Sequence, residues 1–236
     1  MYREHLTAHN WLIYRIGNRM MQARLPAMNG IVLDIGCGER PFEADILRFA
    51  DYYYGLDWSN SLHTLKADAI ADANRPLPIR TESVDHVVSF EVLEHLSEPD
   101  VMLAEAFRVL KYGGRLTISM PFQWWLHEAP WDYQRFTRYG LEHHIRKAGF
   151  TGIDILPRGG FWTMWLLKLN YQLNRLPRGP AWVELPMRAL LVPVFMINQV
   201  LAPLLEKIWP DDRETSGYFA TAYKDSASDM KDRFGG

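Results

Sequence analysis

Between residues 31 and 157, short β-branched or apolar runs alternate with stretches whose apolar residues recur every three or four positions. Ile31–Ile35, Tyr52–Leu56, Asp85–Phe90, Arg115–Met120 and Gly152–Leu156 read as strands. Ser97 is placed to cap a helix with Pro99 in its first turn, Leu103, Phe107 and Leu110 along one face, and Gly113-Gly114 as its stop. Leu141–Ala148 predicts another helix, closed by Gly149. Strands alternating with helices imply an α/β fold, a parallel sheet with helices on both faces.

The flanks follow other patterns. Residues 1–30 predict an N-terminal helical segment, with Trp11, Leu12, Tyr14, Ile16, Met20 and Met21 as its apolar stripe, packed over the edge of the 31–157 core. Residues 158–216 are apolar, tryptophan-rich and interrupted by prolines, and predict a helical insertion. Residues 217–236 hold a last strand, Tyr218–Tyr223, and a polar tail. The longest apolar stretch, Ala189–Leu205, is shorter than the ~20 residues that cross a bilayer and contains Pro193, Asn198, Gln199 and Pro203, so a spanning helix is not favoured.

Composition narrows the class. The 236 residues are 48% hydrophobic and 23% charged, enough for a sizeable core, which excludes a disordered or collagen-like chain. The net charge of −2 supplies no cationic field for nucleic acid. A single cysteine, Cys37, cannot form an internal disulfide, and the first ten residues lack the apolar core of a secretory signal. A cytoplasmic address is expected. The nine tryptophans are many for a chain of this size.

Candidate chemistry begins at Asp34-Ile35-Gly36-Cys37-Gly38, which follows a strand, and at Asp57, which ends the next strand 19 residues after Gly38. Glycines there let backbone N–H groups approach a ligand, and an acid at that distance can accept hydrogen bonds from a ribose diol. A dinucleotide fingerprint would place a third glycine where the chain has Pro41, and Glu39 is unwelcoming to pyrophosphate. The loop suits a nucleoside ligand carrying positive charge.

Five segments in order, Val32–Gly38, Gly55-Leu56-Asp57, Asp72 followed by Leu77-Pro78-Ile79, Ser89–His95 and Leu110–Gly114, resemble the class I S-adenosylmethionine-dependent methyltransferases. The resemblance covers about 31–120. It implies a Rossmann-like, seven-stranded, mostly parallel sheet, with the helical insertion between the last two strands. It also implies the cofactor S-adenosylmethionine and the product S-adenosylhomocysteine. Asp34, Gly36, Cys37 and Gly38 would hold the methionine moiety and Asp57 the ribose. Trp58 would stack on adenine, Asp72 and Ala73 would contact its edge, and Phe90, Glu91 and Val92 would lie beside the sulfonium.

The loop after Arg115–Met120 would leave the same sheet edge and is dense in functional groups. Its His127-Glu128-x-Pro130-x-Asp132-Tyr133-x-Arg135-x-Thr137 pattern resembles a bacterial subset of methyltransferases associated with surface glycan and glycolipid assembly. Methyl transfer to a hydroxyl needs a base. His127 is the candidate, with Asp132 to orient it, His95 as its rival, and Trp124, Trp125, Tyr133 and Arg135 as acceptor contacts. Asp132 and Arg135 pairing with each other, and Thr137 capping the following helix, are the structural alternatives. No metal-ligand spacing stands out among Glu91, His127, Asp132, His143 and His144, so no metal is expected.

The insertion carries Trp162, Trp165, Trp182 and Trp209, and Arg158, Lys168, Arg175, Arg178 and Arg188 against Glu184. Tryptophan with positive charge beside apolar helices suits peripheral contact with an anionic membrane at the inner face. A lid over the acceptor site, to which Trp162 would contribute, and a homodimer interface are the alternatives. The expected enzyme O-methylates a sugar or lipid-linked acceptor. The competing readings are a methyltransferase for a soluble natural product and a non-catalytic cofactor-binding protein.

Overall fold

The structure is a computed structural model that describes residues 1, 5–60 and 64–225. The start of the expected N-terminal helical segment, at residues 2–4, and the tail beyond 225 lie outside the described residues. The chain divides into two compact units, one of residue 1, 23–156 and the chain from 218, the other of residues 5–22 with 157–217.

A seven-stranded sheet is built in the order β3-β2-β1-β4-β5-β7-β6, where β6 is Thr151–Pro157. Strands β1 (Ile31–Ile35), β2 (Tyr52–Asp57), β3 (Ala69–Ile70), β4 (Val84–Phe90) and β5 (Leu110–Pro121) run parallel. Their carboxyl ends therefore share one edge, the place where open α/β sheets bind ligands. At the other side, Lys224, just past β7 (Gly217–Tyr223), exchanges backbone hydrogen bonds with Gly113 and Gly114 near the start of β5. β7 thus runs against its neighbour. The core is apolar and continuous, with Leu33, Val87, Leu103, Leu116, Leu141 and Ile145 all buried between sheet and helices.

Two local expectations are corrected. Helix α3 (Pro99–Val109) ends before the glycines, and β5 already runs through them. The pairing steps from Val84↔Leu110 to His86↔Arg115, so Gly113, at φ 80°, makes an irregularity in the strand rather than a helix stop. Ser97 does not cap α3. Among the described residues no side chain caps α3; the amide of its N-cap residue, Glu98, donates to the side-chain oxygen of Asn74 across 2.9 Å, which ties the helix start to a distant loop. By contrast, Thr137 does cap α4 (Arg138–Lys147), accepting from Gly140 N across 3.0 Å.

In the second unit, α1 (Trp11–Gln22) buries Leu12 with Leu166 and Leu167 of α5 (Phe161–Asn174) and Ala202 of α6 (Ala181–Ile208). The helix expected over the core's edge thus belongs with the insertion. Pro186, Pro193 and Pro203 were expected to interrupt the apolar stretch, but all three lie inside one 28-residue helix. At 1.5 Å per residue it is about 42 Å long, sufficient in length and apolar content to cross a membrane.

Two amide side chains of α6, Asn198 and Gln199, face inward. Asn198 donates to Asn170 of α5 across 2.7 Å. Gln199 accepts from Leu12 N across 2.9 Å and donates to the Ala8 carbonyl, tying down the start of α1. Trp182, Leu185, Leu190, Ile197, Leu204 and Ile208 are exposed.

Candidate functional site at the carboxyl edge

The glycine loop leaves β1 pinned to β2: the amides of Gly36 and Cys37 both donate to the Leu56 carbonyl, at 2.8 and 3.0 Å. Gly36 is required twice over. Its φ is +75°, and a Cβ there would lie 2.3 Å from Val92 Cγ2. The loop and the Phe90-Glu91-Val92 segment after β4 are therefore in direct contact.

Asp57 closes the cradle, accepting from Gly38 N across 2.7 Å and from Trp58 N across 2.8 Å. Asp34 lies buried beneath it. Tyr53 donates to its Oδ2 across 2.5 Å, while Oδ1 is buried with no hydrogen-bond partner. Burial outweighs the tyrosine bond and lifts the Asp34 carboxyl to about 7. Burial and the two aspartates also push the Cys37 thiol up to about 12, so Cys37 is an inert part of the wall.

Asp72 follows β3 and accepts from the Asn74 amide across 2.9 Å, with buried Ala73 beside it. Glu91 sits at φ 56°, unusual for a residue with a side chain, and is held by Ser119, whose amide-side carbonyl accepts from Glu91 N and whose hydroxyl donates to Glu91 Oε1 across 2.6 Å.

The loop after β5 is tied to the turn after β4. Tyr133 N and Gln134 N both donate to the Glu94 carbonyl, at 2.8 and 3.2 Å, and His95 Nδ1 meets the Trp131 carbonyl at 2.8 Å. Trp131 in turn stands edge-on to Trp58, ring centres 5.1 Å apart, linking the two loops. Trp124 and Trp125 stack at 4.2 Å.

Asp132 is only 1% exposed. It accepts from His127 N across 2.9 Å, lies 3.2 Å from His127 Nδ1, and is gripped by both terminal nitrogens of Arg135. The Arg135 hydrogen bonds and charge, with the His127 amide, hold its carboxyl down at about 2 despite burial. Arg135 also donates to the carbonyls of Trp125 and Gln134, so its fork holds the loop together where an acceptor contact was expected. Tyr133 is exposed. Trp162 belongs to the other unit, where its ring meets Phe161 and Trp209.

Residues 33–118 match the methyltransferase domain family. A probable S-adenosylmethionine-dependent methyltransferase of Mycolicibacterium smegmatis is 36% identical over 97 residues, covering 38% of this chain and 37% of that one. A ubiquinone biosynthesis O-methyltransferase of Bartonella quintana is 24% identical over 164 residues, covering 58% and 66%. The matched segment thus spans less than two thirds of either relative. Phosphoethanolamine N-methyltransferase 2 of Haemonchus contortus, solved with S-adenosyl-L-methionine, shares the fold: TM-score 0.57, 20% identity, 94% of this chain and 57% of that one.

The matched segment fits S-adenosylmethionine on its own geometry. The orphan Oδ1 of buried Asp34 suits an ammonium donor, and the positive-φ Gly36 and Gly38 bring the backbone close. What sequence reading missed was Tyr53 as the partner of Asp34, and the convergence of Glu94 with His95 and His127. Neither has a linear spacing that announces it.

Proposed function

We propose that the protein is an S-adenosylmethionine-dependent methyltransferase that O-methylates a sugar hydroxyl on a lipid-linked acceptor at a membrane surface. The cofactor supplies an activated methyl on sulfur. Asp34 would hold its ammonium, Asp57 its ribose hydroxyls, and Trp58 its adenine face. The remaining task is to align the acceptor oxygen with methyl and sulfur and to remove its proton. His127 suits the second part, its Nδ1 held by Asp132 and its Nε2 directed away from that partner.

One observation favours an amphiphilic acceptor: α6 leaves much of its apolar surface uncovered. Its buried side carries Asn198 and Gln199 beside Phe195 and Ala202, while its exposed side carries Trp182, Leu185, Leu190, Ile197 and Leu204. Soluble helices bury such a face. Arg175, Arg178 and Arg188 near its first turns suit anionic headgroups.

The test is methyl transfer from labelled S-adenosylmethionine to a bacterial extract split into lipid and aqueous phases. Label in the lipid phase, on a product whose methyl survives mild alkali, supports the reading. Label only in the aqueous phase replaces it with a soluble natural-product acceptor. Cofactor binding without any label points to a non-catalytic binder.

A further inference from the structure

Glu94, His95 and His127 converge although 31 residues separate the first pair from the third in sequence. The Nε2 atoms of His95 and His127 lie 3.6 and 3.9 Å from Oε1 of Glu94, and His95 Nε2 lies 3.8 Å from Oε2 of Glu128. Donor atoms of Glu94, His95 and His127 all fall within 4.8 Å of one another. The Glu94 side chain is 0% exposed and the two imidazoles are only slightly open.

The other nitrogen of each ring fixes the tautomer. His95 Nδ1 is 2.8 Å from the Trp131 carbonyl, which can only accept, so the proton sits on Nδ1 and the lone pair on Nε2. His127 Nδ1 faces Asp132 Oδ2 at 3.2 Å and the Trp125 carbonyl at 3.3 Å. Both need its proton, and both are nearer than the Arg135 nitrogen at 3.4 Å, which would donate. With each Nδ1 engaged elsewhere, the Nε2 atoms of both rings turn to the buried Glu94 carboxylate.

A buried carboxylate facing both Nε2 atoms calls for positive charge at the point where they converge. The spacing suits a cation. With bonds of about 2.0–2.2 Å, two ligand atoms on a tetrahedral ion lie about 3.3 Å apart, so a cation would draw the three groups together by about an ångström or less from the 3.6 and 3.9 Å seen to Glu94. A carboxylate or carbonyl behind each ligating imidazole is the usual outer shell of a metal site. Glu91 and Glu128, both at positive φ, flank the cluster on the two loops that form it.

We propose that Glu94, His95 and His127 bind one divalent transition-metal ion of the zinc class, with a position left for the acceptor oxygen. The proposal rests on the methyl-transfer reading and changes how the proton leaves. A hydroxyl bound to the ion is acidified and releases its proton to water. The resulting oxygen attacks the methyl carbon as the carbon–sulfur bond breaks, leaving S-adenosylhomocysteine. His127 then serves as ligand, and the ion takes over the work of a base.

The experiment titrates the chelator-stripped full chain with Co2+, read by visible absorption, and with Zn2+, read by calorimetry; S-adenosylhomocysteine binding is measured on each sample. One tightly bound ion per chain is expected, with tetrahedral-type absorption from Co2+. His127→Ala and Glu94→Gln should each weaken binding at least 100-fold, whereas exposed His143→Ala should leave it unchanged. If His127→Ala and Glu94→Gln bind S-adenosylhomocysteine normally, misfolding does not explain the loss. A stripped wild type that binds S-adenosylhomocysteine but no stoichiometric metal overturns the metal site and leaves the methyltransferase reading standing. Metal binding without S-adenosylhomocysteine binding does the reverse.

Discussion

Tyr53 of β2 donates its hydroxyl to Asp34 of β1 across 2.5 Å, two strands side by side in the sheet, and leaves the other carboxylate oxygen of Asp34 buried and unsatisfied. The pair holds a carboxyl that burial has lifted to about 7, directly beneath the glycine loop. An ammonium ligand would find there a partner that is half protonated at neutral pH.

That poise predicts a pH-dependent cofactor affinity. Binding of S-adenosylhomocysteine, followed by calorimetry, should tighten about tenfold between pH 6 and 8 as Asp34 ionises. Asp34→Asn should bind weakly and flatten the profile. Stability of the unliganded protein should move oppositely. The folded pKa is raised, so the folded chain keeps a proton that the unfolded chain has lost; stability falls as pH rises from about 4 to about 7.

Tyr53→Phe removes a hydrogen bond to a buried group and should cost about 1–3 kcal/mol, seen as a lower Tm above pH 7, where Asp34 must ionise. Below pH 5 the loss should shrink.

Gly36→Ala forces a side chain into left-handed backbone and against Val92. Loss of about 2 kcal/mol or more is expected from chemical denaturation, with S-adenosylhomocysteine binding abolished.

Asp132 and Arg135 should behave as one structural unit. Arg135→Ala leaves a buried carboxylate without its cation, with an expected cost of about 3–5 kcal/mol. Because the folded pKa of Asp132 is depressed to about 2, the wild-type contribution should persist above pH 4 and disappear as pH falls towards 2. Thermal unfolding of both proteins from pH 2 to 7 measures this. His127→Ala, by contrast, should leave S-adenosylhomocysteine affinity intact and lower kcat by about 10²–10⁴-fold.

The exposed face of α6 makes a separate prediction. Wild-type protein should co-sediment with vesicles containing phosphatidylglycerol, and Leu190→Glu with Ile197→Glu should abolish it without lowering Tm, since both side chains are exposed. Arg175→Gln and Arg178→Gln should each weaken binding about fivefold. Full binding by the glutamate variant would remove the membrane from the acceptor proposal.

The sequence by itself determined most strands of the sheet and the glycine loop after the first, because both are written locally. Runs such as Ile31–Ile35 and Tyr52–Asp57 are strands by their own pattern, and a loop such as Gly36–Gly38 must follow β1 wherever the rest of the chain goes. Only the tertiary structure decided the partnerships. Tyr53 reaches Asp34 because β2 lies beside β1 in register, and Asn74 holds the Glu98 amide at the start of α3 because a distant loop comes alongside. Glu94 and His95 meet His127 because the loop after β5 is hydrogen-bonded onto the turn after β4. Pro193, Asn198 and Gln199 looked like breaks in an apolar stretch. In three dimensions the helix runs through them, the amides satisfy buried partners, and the leucines and isoleucines are left facing outward. Periodicity reports which residues share a face; which face is covered depends on what packs against it, and that is a property of the folded chain.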